Sequence, residues 1–302
     1  MTRRRPDGLR RALQSLQELS LEAVPGVEVR IVVVENDVGG EARAVVASLT
    51  GGRMPIEYAA EPTHGIPFAR NRALEVAGDV DFIAFLDDDE WAESQWLVEL
   101  LDAQAKTGAE VVLGPVLPDF EAPPPKWLLA SGYFDPLSFE ALQPIGFAYT
   151  GNVLIARAVF DSGRPFPEEL ALMGGSDTHF FMRAWLRGVR IVWAPSARVH
   201  ETIPLQRMQV GWIARREYRR GTTLSLCLLD LEPSRRRKLK RVVHGVGRIA
   251  LGSVLAPAAV VRGRSMFVRA AKEGSFGAGL LFGLTGRGYA EYRDTGPSEA
   301  RR

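Results

Sequence analysis

Cysteine is nearly missing from this sequence: Cys227 is the single one in 302 residues. One thiol excludes a disulfide framework and suits a reducing compartment. The basic start "MTRRRPDGLRRAL" has no apolar run behind it, so a secretory signal is not legible. Internal repeats and low-complexity tracts are also missing. Cations are scarce in the first two thirds, where residues 1–204 carry 18 Lys+Arg against 29 Asp+Glu, a net −11. That shortage argues against nucleic acid as the main ligand, because phosphate contacts need clustered cations. Residues 205–302 reverse the balance, with 20 against 7, a net +13. Composition therefore divides the chain into an acidic region, 1–204, and a basic, apolar region, 205–302, with different partners.

What is present is an alternation of apolar strands and amphipathic helices. Asp7 to Ser20 has leucines near helical spacing, with Asp7 able to cap. "VEVRIVVVEND" reads as a buried parallel strand ending in Glu35-Asn36-Asp37. Glu41 to Leu49 is a short helix and "PIEYAAE" a strand, and Ile66 to Ala77 is a helix closed by Gly78. "VDFIAFL" is the next strand, Ser94 can cap a helix reaching about Lys106, and "AEVVLGPV" is a further strand. From Pro118 a proline-rich irregular stretch runs to about Gly151. "NVLIAR" and "VRIVWAP" are strands around the helix of "GGSDTHFFMRAWLRG". Strand and helix in turn imply an α/β fold with a mostly parallel sheet, whose ligands sit beyond the carboxyl ends of the strands. Both acidic clusters, Glu35–Asp37 and Asp87–Glu90, fall at such ends and could line one crevice.

"FIAFLDDDEW" places Asp87, Asp88, Asp89 and Glu90 directly after an apolar strand. Hard divalent cations take one or two carboxylates and complete their shell with substrate phosphates, and the Asp-x-Asp spacing of Asp87 and Asp89 suits that. The rival reading is an acidic helix start favoured by the macrodipole. An aspartyl-nucleophile phosphatase also places Asp-x-Asp after a strand, but after the first one. Asp177 in "GGSDTHFF" is either a helix cap or a general base. His200 in "ARVHET" is a structural imidazole or a metal ligand. Arg70 could pair with a diphosphate or with a neighbouring acid. Glu35 and Asn36 could meet a base or ribose, or form a polar turn.

Taken in order, "RRPDGLRRALQSL", "IVVVEND", "HGIPFARNRAL", "FLDDDEW", "TGNVLIAR", "GGSDTHFFMRAWLRG" and "VWAPSARVHETIP" resemble the inverting family 2 glycosyltransferases, which have a GT-A fold. The resemblance spans nearly all of residues 3–204. It implies a nucleotide-diphosphate sugar as donor, with Glu35, Asn36 and Arg70 near its base and diphosphate and Asp88 on the ribose side. Asp89, with Asp87, would bind Mn²⁺ or Mg²⁺. His200 matches a metal-binding His of some relatives. Asp177 matches the general base that deprotonates the acceptor hydroxyl of a saccharide or lipid-linked acceptor, with Gly151, Asn152 and Trp127 on the acceptor side. The chain departs from the pattern twice. Ser176 stands where many relatives have a second acid. The apolar strand that normally opens the pattern and contacts the base is missing before Arg3, which a start read too far downstream would explain. A nucleotidyltransferase on a related fold and a non-catalytic sugar-binding subunit are the rival readings; the first lacks its Gly-rich phosphate loop.

The basic region contains "ARREYRRG", "SRRRKLKR" and "VVHGVGRIALGSVLAPAAVV". Residues 242–261 have the length of a membrane span but carry His244, Arg248, Pro257 and three glycines. Cationic clusters beside an apolar, Gly-rich helix read better as a surface lying on anionic lipid. The expected place of work is the cytoplasmic face of a bacterial plasma membrane, peripherally held.

Overall fold

A computed structural model describes residues 1–160, 164–171 and 173–288. The chain runs α1 (Pro6–Gln17), β1 (Ile31–Glu35), α2 (Glu41–Ser48), β2 (Ile56–Ala60), α3 (Ile66–Ala77), β3 (Phe82–Phe85) and β4 (Glu90–Ala92). It continues through α4 (Trp96–Thr107), β5 (Val111–Leu113), β6 (Val116–Phe120), α5 (Lys126–Ser131), β7 (Pro144–Ile145), β8 (Val153–Ala156) and α6 (Ser176–Leu186). Then come β9 (Ile191–Trp193), β10 (Val199–Ile203) and three long helices, α7 (Val210–Leu231), α8 (Arg235–Arg262) and α9 (Arg264–Gly283).

The α/β architecture is as expected, but its sheets are mixed rather than mostly parallel. The central sheet has the order β3-β8-β5-β9-β7, in which β8 runs antiparallel to both neighbours and only β5 and β9 are parallel. The long excursion between β6 and β8 explains this, since it carries the chain back to the strand ends before β8 re-enters. Phe85 at the end of β3 consequently faces Val153 at the start of β8. The turn after β3 and the turn before β8 thus share one rim. Alternation along β5 sends Val112 to one core, with Trp96 and Leu100 of α4, and Val111 and Leu113 to the other, with Phe180 and Phe181 of α6. Both faces are covered, which is why these strands are uniformly apolar.

Several local expectations shift. The run "AEVVLGPV" breaks at Gly114-Pro115 into β5 and β6, which belong to different sheets. Pro118 lies inside β6, an edge strand of β4-β10-β6, where a missing N–H is tolerated. Asp7 and Asp177 sit in the first turns of α1 and α6, where Arg5 and Gly175 are the caps. Ser94 is likewise not the cap of α4; Gln95 is.

The place where the family pattern puts its first strand is held by two residues. Thr2 N–H donates to Val34 O (2.9 Å), and Asn36 N–H donates to Thr2 O (2.9 Å), parallel to β1. Met1 packs against the cores under both β1 and the central sheet, bridging them.

The glycines of the basic region are contact points between helices. A Cβ on Gly252 of α8 would come 2.8 Å from Ala270 O and 2.8 Å from Gly274 N of α9. One on Gly245 would meet Leu281 at 2.8 Å. Small residues here let backbones approach closely, as in helix pairs within membranes. Ile213 and Met208 pack with Leu128, Ile203 and Val268, joining this helical region to the strands before it.

Candidate active site

Adjacent arginines at the start of the chain reach one acidic cluster each. Arg4 pairs with Asp37 and holds its carboxyl below the usual range. Arg5 Nη1 donates to Asp88 Oδ1 (3.1 Å) and to Asp89 Oδ2 (2.9 Å). Asp89 Oδ2 also accepts from Arg207 Nη2 (3.0 Å), whose other nitrogen pairs with Glu201. Two guanidinium groups distant in sequence, from before α1 and from after β10, thus converge on Asp89. Asp87 accepts neither. Burial pushes its carboxyl up to about 6 against the lowering effect of Arg70.

Glu90 is not part of an acidic helix start. It opens β4, is 5% exposed, and its Oε2 accepts from the Asp87 N–H at 2.8 Å, which braces the turn from beneath. Burial, with Asp87 beside it, lifts its carboxyl well above the ordinary glutamate value. Gly151 explains itself here: a Cβ at that position would lie 2.6 Å from Glu90 Oε1.

Arg70 links the loop before β8 to the start of α6. It projects from α3, is 6% exposed, donates to Ser176 Oγ (2.7 Å) and to Thr150 Oγ1, and lies 5.4 Å from the Phe166 ring. Its Nε is buried without an acceptor among the described residues. Ser176 thus anchors the helix start through a hydroxyl where many relatives have an acid. Asp177 is half-buried, and its Oδ1 accepts from the Thr178 N–H (2.8 Å).

Other expected residues have different work. Glu35 is 1% exposed; its oxygens accept from Ala42 N–H (3.1 Å) and Tyr58 Oη (2.6 Å), so it tethers α2 and does not reach the crevice. Asn36 bridges the β1 end to the loop before α3, donating to Glu61 O and Thr63 O and accepting from Gly65 N–H. Asn152 is wholly buried, bracketing Pro115 O and Ala197 O and accepting from Trp96 Nε1, so it cannot meet an acceptor. Trp127 lies in the α5–α9 contact with Arg264 over its ring. His200 stacks on Trp91 with ring centroids 3.9 Å apart and contacts Glu93 Oε1 at 3.0 Å. Strand alternation explains that correction: in β10 it is Glu201, not His200, that is directed to the Asp89 side.

Sequence reading missed Arg5, Arg207, Glu201 and Thr150. Arg5 belongs to a conspicuous basic run, whereas nothing local marks Arg207. A cavity of about 200 Å³ lined by Tyr133, Glu201, Arg207 and Trp212 adjoins Asp89.

Among the described residues no three His, Cys, Asp or Glu side chains converge as a ready metal cage. Asp87 and Asp89 nevertheless fit a hard divalent ion that draws its remaining ligands from phosphate and water. The gathering of two cations on Asp89 marks the same electrostatic demand. His200 does not fit.

The α/β fold thus carries three carboxylates after β3 and a further one, Asp177, in the first turn of α6. The chain belongs to the glycosyl transferase family 2, whose model matches residues 1–164. It is 34% identical over 291 residues, 94% of this chain and 91% of the relative, to the succinoglycan biosynthesis protein ExoM of Rhizobium meliloti. It is 25% identical over 173 residues, 53% of this chain and 55% of that one, to the glucosyl-dolichyl phosphate glucuronosyltransferase of Haloferax volcanii. In fold it is similar to the Pyrobaculum calidifontis mannosyltransferase PcManGT in complex with GDP-Man and Mn²⁺, with a TM-score of 0.65, 13% identity, and 95% and 86% of the two chains covered. TarS of S. aureus in complex with UDP-GlcNAc gives a TM-score of 0.53 at 14% identity, covering 94% and 90%. The protein is a glycosyltransferase with the GT-A fold.

Proposed function

We propose that the protein is an inverting, metal-dependent enzyme that moves a sugar from a nucleotide diphosphate to a hydroxyl of a saccharide or lipid-linked acceptor. The observation that supports this best is Arg70, which donates to Ser176 at the helix start bearing Asp177 and to Thr150 before β8, while its charge acts on Asp87 just after β3. Asp87 and Asp89 would hold Mn²⁺ or Mg²⁺, as the PcManGT complex with Mn²⁺ suggests by analogy. The ion would supply Lewis-acid stabilisation of the departing diphosphate. Arg5 and Arg207 have the fork geometry to bind phosphate once an ion satisfies Asp89. Arg70, with its unpartnered Nε, lends positive charge to the same place.

Asp177 accepts the proton of the attacking hydroxyl. Its backbone neighbours fix it at a helix start, while Ser176 and Arg70 fix the helix relative to Thr150 in the loop before β8. Direct displacement from the face opposite the leaving group inverts the anomeric carbon. We place the work at the cytoplasmic membrane surface, in bacterial polysaccharide assembly, on the strength of the ExoM relative and of α8. That helix alone among the described ones is long and apolar enough to cross a membrane, with a mean hydropathy of 1.4 over its most apolar window.

The test is donor consumption and transfer across UDP-, GDP- and dTDP-sugars with Mn²⁺, followed by the anomeric configuration of the product. Asp177→Asn and Asp89→Ala are each expected to lower kcat by at least about 10²-fold, in line with loss of a general base or of metal charge stabilisation. Full transfer by either variant, or a retained anomer, would refute the mechanism.

A further inference from the structure

A cavity lies outside the acidic turn, between the helical region and the loop before β8. It has a volume of about 400 Å³ and sits between α6, α7, α8 and that loop. Its walls are apolar, formed by Phe147, Phe181, Trp185 and Leu228. Its rim is cationic: Arg237, Lys240 and Arg241 stand against one carboxylate, Glu232. Arg237 already pairs with Glu232 at 2.8 Å. Arg241 is half-buried, and among the described residues the one carboxylate lining the cavity, Glu232, is the partner of Arg237. Burial holds the Arg241 guanidinium below its ordinary arginine value, the mark of a cation removed from water without an anion to replace it. Thr178, the residue after Asp177, lines the same cavity. On the far side of α8, Val243, Val246 and Val254 are exposed, at 64%, 52% and 73%.

Apolar walls with an uncompensated cationic rim fit an amphiphile with an anionic head. We infer that this cavity is the subsite for the phosphate of a lipid-linked acceptor, held by Arg241 and Lys240, with the first carbons of its chain between Phe181 and Trp185. The inference rests on the assignment of Asp177 as base, since its neighbour Thr178 lines the cavity and so puts the subsite next to that residue in the chain. Arg241 and Lys240 act as binding residues and take no part in bond making. The exposed valines of α8 face the membrane from which such an acceptor comes.

Farnesyl phosphate is a suitable probe, and quenching of tryptophan fluorescence, with Trp185 in the cavity wall, gives the readout on the full chain. Arg241→Gln is expected to weaken its binding about tenfold or more, as loss of a charge-assisted hydrogen bond does, and Arg241→Lys by less. Farnesol and inorganic phosphate are each expected to bind far more weakly than farnesyl phosphate. Unchanged affinity in Arg241→Gln, or farnesol or inorganic phosphate binding as tightly as farnesyl phosphate, would overturn the subsite. So would an equal loss of Arg241→Gln binding to phosphatidylglycerol vesicles, which would assign the cations to bulk lipid. Asp177→Asn is expected to bind farnesyl phosphate normally. If it also kept full transfer activity while Arg241→Gln lost the probe, the base assignment would fail and the subsite would stand.

Discussion

Replacing Arg70 by Met removes the bridge between Thr150, in the loop before β8, and Ser176 of α6 while nearly conserving volume. Arg70 donates to two hydroxyls, Ser176 Oγ at 2.7 Å and Thr150 Oγ1. Each hydrogen bond to a charged group contributes about 1.5–3 kcal/mol. The loss is offset in part, because a guanidinium at 6% exposure no longer has to be desolvated. A net destabilisation of about 2–4 kcal/mol is therefore expected, within the range for breaking a buried polar network. The effect on catalysis is separate and larger. Without Arg70, α6 keeps its aromatic packing through Phe180 and Phe181 but loses its polar registration to the loop before β8. A displacement of about 1 Å between base and donor costs roughly 10²-fold in rate. Thermal melts give the first quantity, and transfer kinetics well below the melting temperature give the second. Arg70→Lys is the informative control, since an ammonium is a point charge without the fork that reaches both hydroxyls. Wild-type kcat in a folded Arg70→Met variant would refute the idea that this bridge sets the catalytic geometry.

Three further outcomes are expected. His200→Ala should leave the Mn²⁺ concentration dependence of transfer unchanged, because the ring faces Trp91 and Glu93; a tenfold shift would restore it as a ligand. In metal-free protein, stability should fall as pH rises from about 4 to about 6. Over that window folded Asp87, with its carboxyl at about 6, keeps a proton that the unfolded chain has already lost. Asp87 should contribute roughly 2–3 kcal/mol of the fall at about 1.36 kcal/mol per pH unit, and Asp87→Asn should make it shallower in melts recorded against pH, the rest coming from the likewise raised carboxyl of Glu90. Gly252→Val should force α8 away from α9, since the new side chain meets backbone atoms 2.8 Å away. Hydrogen exchange should then quicken in α8 and α9, with α4 and β5 unaffected.

The fold was legible wherever hydrophobic period and length agreed. β1, α3, β3 and α6 lie where the apolar spacing placed them, and Gly78 ends α3 as its position suggested. Sheet direction was not legible, because the direction of β8 depends on the long excursion before it, and no local pattern records that path. In the site, the acidic turn stood out because buried strands seldom end in three acids. Its counter-ions did not. Arg207 reaches Asp89 across 118 positions, and a contact at that separation leaves no periodic trace. His200 and Glu201 show a different difficulty: adjacent residues in a strand point oppositely, so a one-residue error in register exchanges a site residue for a structural one. Glu35 and Asn152 were misjudged because polar residues at strand ends also serve as brackets for backbone groups, and type alone does not separate the two uses.

The double hold on Asp89 bears on how the protein can be handled. Its two arginines enter at residues 5 and 207, one before the first helix and the other beyond the last strand. A fragment trimmed at residue 204, where composition changes sign, would discard Arg207 and the Met208 and Ile213 side chains that close the core beneath it. Such a fragment would be an incomplete enzyme and a poor crystallisation target. During synthesis, too, the crevice cannot reach its final form until the first turns of α7 have left the ribosome. The boundary at 204 separates two compositions, and it is a poor place to cut.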